Sequence, residues 1–95
     1  MKITLKHPVT IDGKEITELD LKLEDLTGAD IDFCARETTA DNGGVPSAVM
    51  SLDVAFHARV AARAAGIDAE AMKRLKAVDY IAVTTRVQGF LLGTD

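Results

Sequence analysis

In Ile3-Thr4-Leu5-Lys6-His7-Pro8-Val9-Thr10-Ile11, the apolar Ile3, Leu5, Val9 and Ile11 hold odd positions, with the polar Thr4, Lys6 and Thr10 between them. After Asp12-Gly13-Lys14 the alternation resumes, with Leu19, Leu21 and Leu23 separated by Asp20 and Lys22. A period of two sends side chains to opposite faces of a pleated strand. The stretch therefore reads as an antiparallel β-hairpin over residues 2–11 and 14–23 with one oily face. From Thr27 onward the spacing turns helical. The expected class is α+β, a hairpin packed on a small bundle of three to four helices.

Parity constrains the turn. For Ile3 and Leu5 to share a face with Leu19 and Leu21, facing residue numbers must sum to an even value. A three-residue loop, Ile11-Asp12-Gly13, with Gly13 left-handed in a bulge, satisfies this and is the expected turn. The rival is a two-residue Asp12-Gly13 turn with a bulge near His7-Pro8, where proline has no N–H for the ladder. Apart from Ile16, the second face is Lys, Thr, Glu and Asp and is expected to be wet.

The 95 residues suffice for one modest core, expected as a single domain over 1–95 with the hairpin at 2–23 and helices within 27–92. A 47% hydrophobic content argues for a folded chain. The net charge of −4 and dispersed basic residues argue against nucleic acid as a partner, because phosphate neutralisation needs a basic stripe. Arg59, Arg63, Lys73, Arg74 and Lys76 come nearest and read as solvated helix faces. Cys34 is the only cysteine, which fits a reducing compartment. Neither a signal peptide nor the ~20 apolar residues of a membrane span is apparent, so no membrane association is expected.

Thr27 and Asp30 form a capping box for a first helix, with Leu26 and Ile31 as a hydrophobic staple. Ile31, Cys34 and Ala35 are its apolar stripe, and Glu37-Thr38-Thr39 weakens it before the loop Asp41-Asn42-Gly43-Gly44. Pro46 and Ser47 suit the first turn of a second helix that Gly66 ends. On that helix Val49, Leu52, Phe56 and Val60 are expected to face the core. A second stripe, Met50, Val54, Ala58, Ala61 and Ala65, marks the helix as central or covered by a partner. Asp68 caps a short third helix holding Met72 and Leu75. A fourth helix follows, with Asp79 at its positive end, Val83, Val87, Phe90 and Leu91 as its stripe, and Gly93 beyond.

Chemistry-bearing patterns are sparse. Asp53 and His57 lie four apart and could orient an imidazole, with Cys34 as a nucleophile. No glycine-rich oxyanion turn brackets Cys34, whose flanks read as core helix. No ligand spacing for zinc or calcium is present, and no phosphate loop. The chain is expected to be no enzyme, with no catalytic residue, cofactor or metal.

Taken in order, the pieces resemble a known family. They are Ile3 through Pro8, Asp12-Gly13-Lys14-Glu15-Ile16-Thr17-Glu18-Leu19, the helix entry Leu26-Thr27-Gly28-Ala29-Asp30-Ile31, Leu75-Lys76-Ala77-Val78-Asp79-Tyr80, and Val87-Gln88-Gly89-Phe90-Leu91. Together they resemble the small tail assembly chaperones of Mu-like and related tailed bacteriophages. The resemblance spans nearly the whole chain as an order of elements. It departs at Lys76, where the family pattern has a hydroxyl or small capping residue, and in the more elaborate loop at residues 41–44.

The resemblance implies a non-enzymatic role in the host cell cytoplasm. Such chaperones bind and solubilise the tape measure protein, and tail tube subunits displace them as the tube polymerises. Met50, Val54, Phe90, Leu91 and Leu92 are the candidate partner-binding residues, being apolar and lying off or at the end of the main core stripes. Self-association stays open. The alternatives are a structural or connector protein that remains in the phage tail, and a small cysteine-dependent enzyme.

Overall fold

The computed structural model describes residues 1–93. Strands β1 (Lys2–Ile11) and β2 (Lys14–Asp20) form a two-stranded antiparallel sheet. Helices α1 (Gly28–Asp41), α2 (Val54–Ala65), α3 (Ala69–Met72) and α4 (Ala77–Leu91) follow, with 3₁₀ turns at Leu23–Asp25 and Met50–Leu52. The α+β architecture expected from the change of period is the one observed.

The turn is the tight one. Ile11 faces Lys14, leaving Asp12 and Gly13 as a two-residue loop with φ of 52° and 77°. Positive φ at both positions matches the twist of the flanking strands, and an Asp-Gly pair adopts it readily. Pair numbers sum to 25 beside this turn and to 22 at Thr4 and Glu18, so the three-residue loop is corrected. The parity is restored by an irregularity between Thr4 and Val9, where residues 5–8 stand against Thr17 alone. Pro8 has no N–H to lose there. The N–H groups of Lys6 and His7 donate to the two carboxylate oxygens of Asp79, at 2.8 and 2.9 Å. A buried carboxylate at the first turn of α4 thus takes the donors that the ladder cannot use.

Leu19, Leu21 and Leu23 are buried as the alternation requires, although the strand ends at Asp20 and Leu23 lies in a 3₁₀ turn. Leu21 still extends the pairing, donating its N–H to the Met1 carbonyl at 2.7 Å. Ile16 pairs with Val9 and packs against the core, rather than lying on the wet face. Apart from Pro8, the remaining outward residues of both strands are polar and exposed.

α1 starts on the expected capping box, with the Thr27 N–H donating to Asp30 at 2.9 Å and the Asp30 N–H to Thr27 Oγ1. It does not weaken at Thr38, whose buried hydroxyl donates to the Cys34 carbonyl one turn back at 2.8 Å. α2 starts later than expected. Asp53 caps it, accepting from the N–H groups of Ala55 and Phe56, so residues 43–49 remain irregular. Val49 and Leu52 accordingly fall outside α2 and are 52% and 56% exposed, which corrects their expected place in the core.

α2 is the central element, touching α1, α3, α4, the second strand and both 3₁₀ turns. Leu5, Leu19, Leu21 and Leu23 meet Cys34, Phe56, Val60, Ala61, Met72, Val83 and Val87 in one cluster. Burying each leucine is worth about 1.5–3 kcal/mol. Gly66 closes α2 in the left-handed region, at φ 71°.

Candidate partner-binding surface

The residues that suggested nucleophilic chemistry are engaged otherwise. Cys34 is buried in the core cluster, and that burial pushes its thiol pKa up, away from the reactive thiolate. His57 is buried, and its Nε2 donates to the Ser51 carbonyl at 2.7 Å, pinning the 3₁₀ turn onto α2. Asp53 caps α2 and accepts a hydrogen bond from the Ser47 hydroxyl. The Ser47 contact, with the Phe56 and Ala55 N–H groups behind it, holds the Asp53 carboxyl below its ordinary value.

The five candidate partner residues fall into two groups. α2 and α4 run side by side in the same direction: Tyr80 lines a small cavity with Ala55 and Ala58, while Phe90 lies with residues 21–25, whose Lys22 N–H donates to the Ala64 carbonyl. Met50 and Val54 sit at the leading end, with Met50 half-buried against the core and Val54 46% exposed. Phe90, Leu91 and Leu92 sit at the trailing end, beyond most of the length of α4, a 15-residue helix about 22 Å long. There Phe90 and Leu91 pack partly on the core and Leu92 is exposed. Phe90 also borders a shallow groove of about 280 Å³ with Met1, Leu21 and Leu23. The rest of the second α2 stripe divides: Ala58 and Ala61 are core, and Ala65 is half-buried.

Other exposed apolar side chains were not singled out by the sequence reading. Val45 precedes the 3₁₀ turn at 60% exposure, and Val49 and Leu52 join it once α2 is seen to begin at Val54. On α4, Val78 and Ile81 point to solvent, and Arg86 is that helix's only charged residue besides the buried Asp79. α4 packs against the Met50–Leu52 turn. The signal available in the sequence was the absence of charge across residues 42–52.

Two basic residues read as solvated are structural. Arg59 of α2, with its side chain 13% exposed, pairs with Glu37 and Asp41 of α1. Arg63 pairs with Asp30 at 2.8 Å and lies 4.5 Å over the Phe33 ring. These cations stitch α1 to α2 and are committed within the fold. Among the described residues, no helix is long and apolar enough to cross a membrane.

A sequence model of the family described as phage tail assembly chaperone proteins, E, or 41 or 14, matches residues 2–92. No curated protein and no solved structure matches the chain.

Proposed function

Because the chain belongs to the phage tail assembly chaperone family, we propose that it binds the tape measure protein and keeps it soluble until the tail tube polymerises. The site of action is the host cytoplasm, and arriving tail tube subunits displace the chaperone. The role is non-enzymatic, in keeping with the structural duties of Cys34, Asp53 and His57.

The observation that carries this reading is the placement of exposed apolar surface. Val45, Val49, Leu52, Val54, Val78 and Ile81 all lie on the helical layer, while the outward face of the hairpin is polar. Such a surface covers apolar helices, and modest contact area allows release. The acidic balance of the chain, at −4, adds solubility to whatever it coats.

Co-expression with the tape measure protein of the same phage tests the reading. The expected result is a soluble complex that co-purifies, with the chaperone missing from finished tails. An insoluble tape measure protein that leaves this chain free in solution would overturn it. Stoichiometric presence in finished tails would establish a structural component instead.

A further inference from the structure

Residues 42–52 run for eleven positions without a charge, in a chain where 27% of residues are charged. They join α1 to α2 and carry backbone hydrogen bonds at both ends, from the Gly43, Gly44 and Val45 N–H groups to Ala40, Thr39 and Asn42, and from the Leu52 N–H to Val49. Asn42 Nδ2 donates to the Val45 carbonyl at 2.9 Å, the Ser47 hydroxyl donates to Asp53, and His57 holds the Ser51 carbonyl. Between these anchors the backbone N–H groups of Ser47, Ala48 and Val49 donate to no group among the described residues. Along the segment and just beyond it, Val45, Val49, Leu52 and Val54 are each about half exposed or more. The charges at its two ends are already committed, Asp41 to Arg59 and Asp53 to the α2 cap.

Area selects the occupant. Those four side chains expose on the order of 300–400 Å² of apolar surface. A stable dimer needs roughly 800 Å² per partner, so a second copy docking here would be held too weakly to persist. A short helix that engages this area and then leaves is within its means. Charge narrows the choice further. A charged side chain pressed onto the middle of this neutral stretch would lose its hydration, and the carboxylates at the two ends, Asp41 and Asp53, are already paired within the fold. The helix must therefore present an uncharged apolar stripe.

We infer that residues 42–54 form a docking arm for an uncharged apolar stripe on a helix of the tape measure protein. This rests on the function proposed above and locates its contact at the leading end of α2, away from Phe90, Leu91 and Leu92. The irregular backbone suits the task. With no backbone N–H of residues 46–49 donating to a group among the described residues, the middle of the arm adjusts to successive helical turns of different sequence along one long partner.

The test uses the full chain and a soluble helical fragment of the tape measure protein, measured by titration calorimetry. In the double variant Val49→Glu with Leu52→Glu, both positions are more than half exposed, so thermal unfolding stays at the wild-type temperature. Binding falls at least about tenfold, on the scale of an interface hot spot. Hydrogen exchange on the wild-type chain provides the second measurement. The Ser47, Ala48 and Val49 amides exchange fast in the free protein and slow by about tenfold or more in the complex, as an occluded segment does. A wild-type chain that binds no fragment sinks the proposed function and the arm together. A folded double variant that binds normally sinks the arm alone, as do amides at 47–49 that stay unprotected in the complex, whether or not the double variant folds.

Discussion

Asp53→Ala removes the group that determines where α2 begins. The carboxylate accepts from Ala55 N–H at 2.8 Å and Phe56 N–H at 3.3 Å, two donors with no partner inside the helix. Replacing an Asp cap by Ala costs about 1 kcal/mol, and losing a negative charge at the positive end of the helix adds about 0.3–1 kcal/mol. In a domain of this size each kcal/mol moves the melting temperature by about 4–8 °C. The variant should therefore melt about 5–16 °C below wild type in a calorimetric scan at pH 7. Asp53→Asn keeps the acceptor and loses the charge, so it should recover more than half of that difference. The Asp53 carboxyl is held below its ordinary value of 3.8, chiefly by the Ser47 hydroxyl. A depressed folded pKa means that the unfolded chain takes up protons first as pH falls, so this contribution is full above about pH 5 and is lost as pH falls through the lowered value. The gap between wild type and Asp53→Ala should narrow over that interval. An alanine variant melting within about 1 °C of wild type at pH 7 would refute the capping account, and so would a gap that widens in acid.

Asp79→Asn, which leaves one carbonyl oxygen to serve two N–H donors, should speed hydrogen exchange at Lys6 and His7 while the amides beside the Asp12-Gly13 turn keep their protection; unchanged exchange at both would refute the clasp. The Lys6 N–H, ahead of the His7 N–H, holds the Asp79 carboxyl below 3.8, so the clasp should be fully present above about pH 5 and release as pH falls through the lowered value, read from the same two amides by NMR. Gly66→Ala places a Cβ at φ 71° and should destabilise the chain by about 1–2 kcal/mol in urea unfolding, although open space surrounds the position. The Cys34 thiol, buried and with its pKa raised, should react with a disulfide reagent only as fast as the chain unfolds; Cys34→Ala should leave tape measure binding intact, and loss of binding by a folded variant would show a role beyond packing.

Short-range physics was legible in the sequence. The change of period from two to about three and a half is a property of neighbouring residues, and it separated the hairpin from the helices. The Thr27–Asp30 box, the Asp68 cap and the left-handed Gly66 depend on contacts within a few residues, so residue type and spacing were enough. The family membership was readable for a related reason, since the order of elements survives where individual motifs are weak. Of the candidate binding residues, Val54 and Leu92 lie exposed, whereas Met50, Phe90 and Leu91 pack partly on the core.

What tertiary structure decided depends on groups far apart in the chain. Two turns fitted the hairpin's parity, and the tight one prevails because Asp79, 72 and 73 residues away, accepts the His7 and Lys6 N–H groups released by the bulge. Pro46 and Ser47 suit a helix start on local grounds, yet Asp53 takes the cap and His57 ties down the turn before it. That late start moves Val49 and Leu52 from a core stripe to the surface. Periodicity shows that side chains share a face only while the helix is continuous. Where the helix begins, and so which apolar residues remain for a partner, was settled by a competition between caps and by packing against α4.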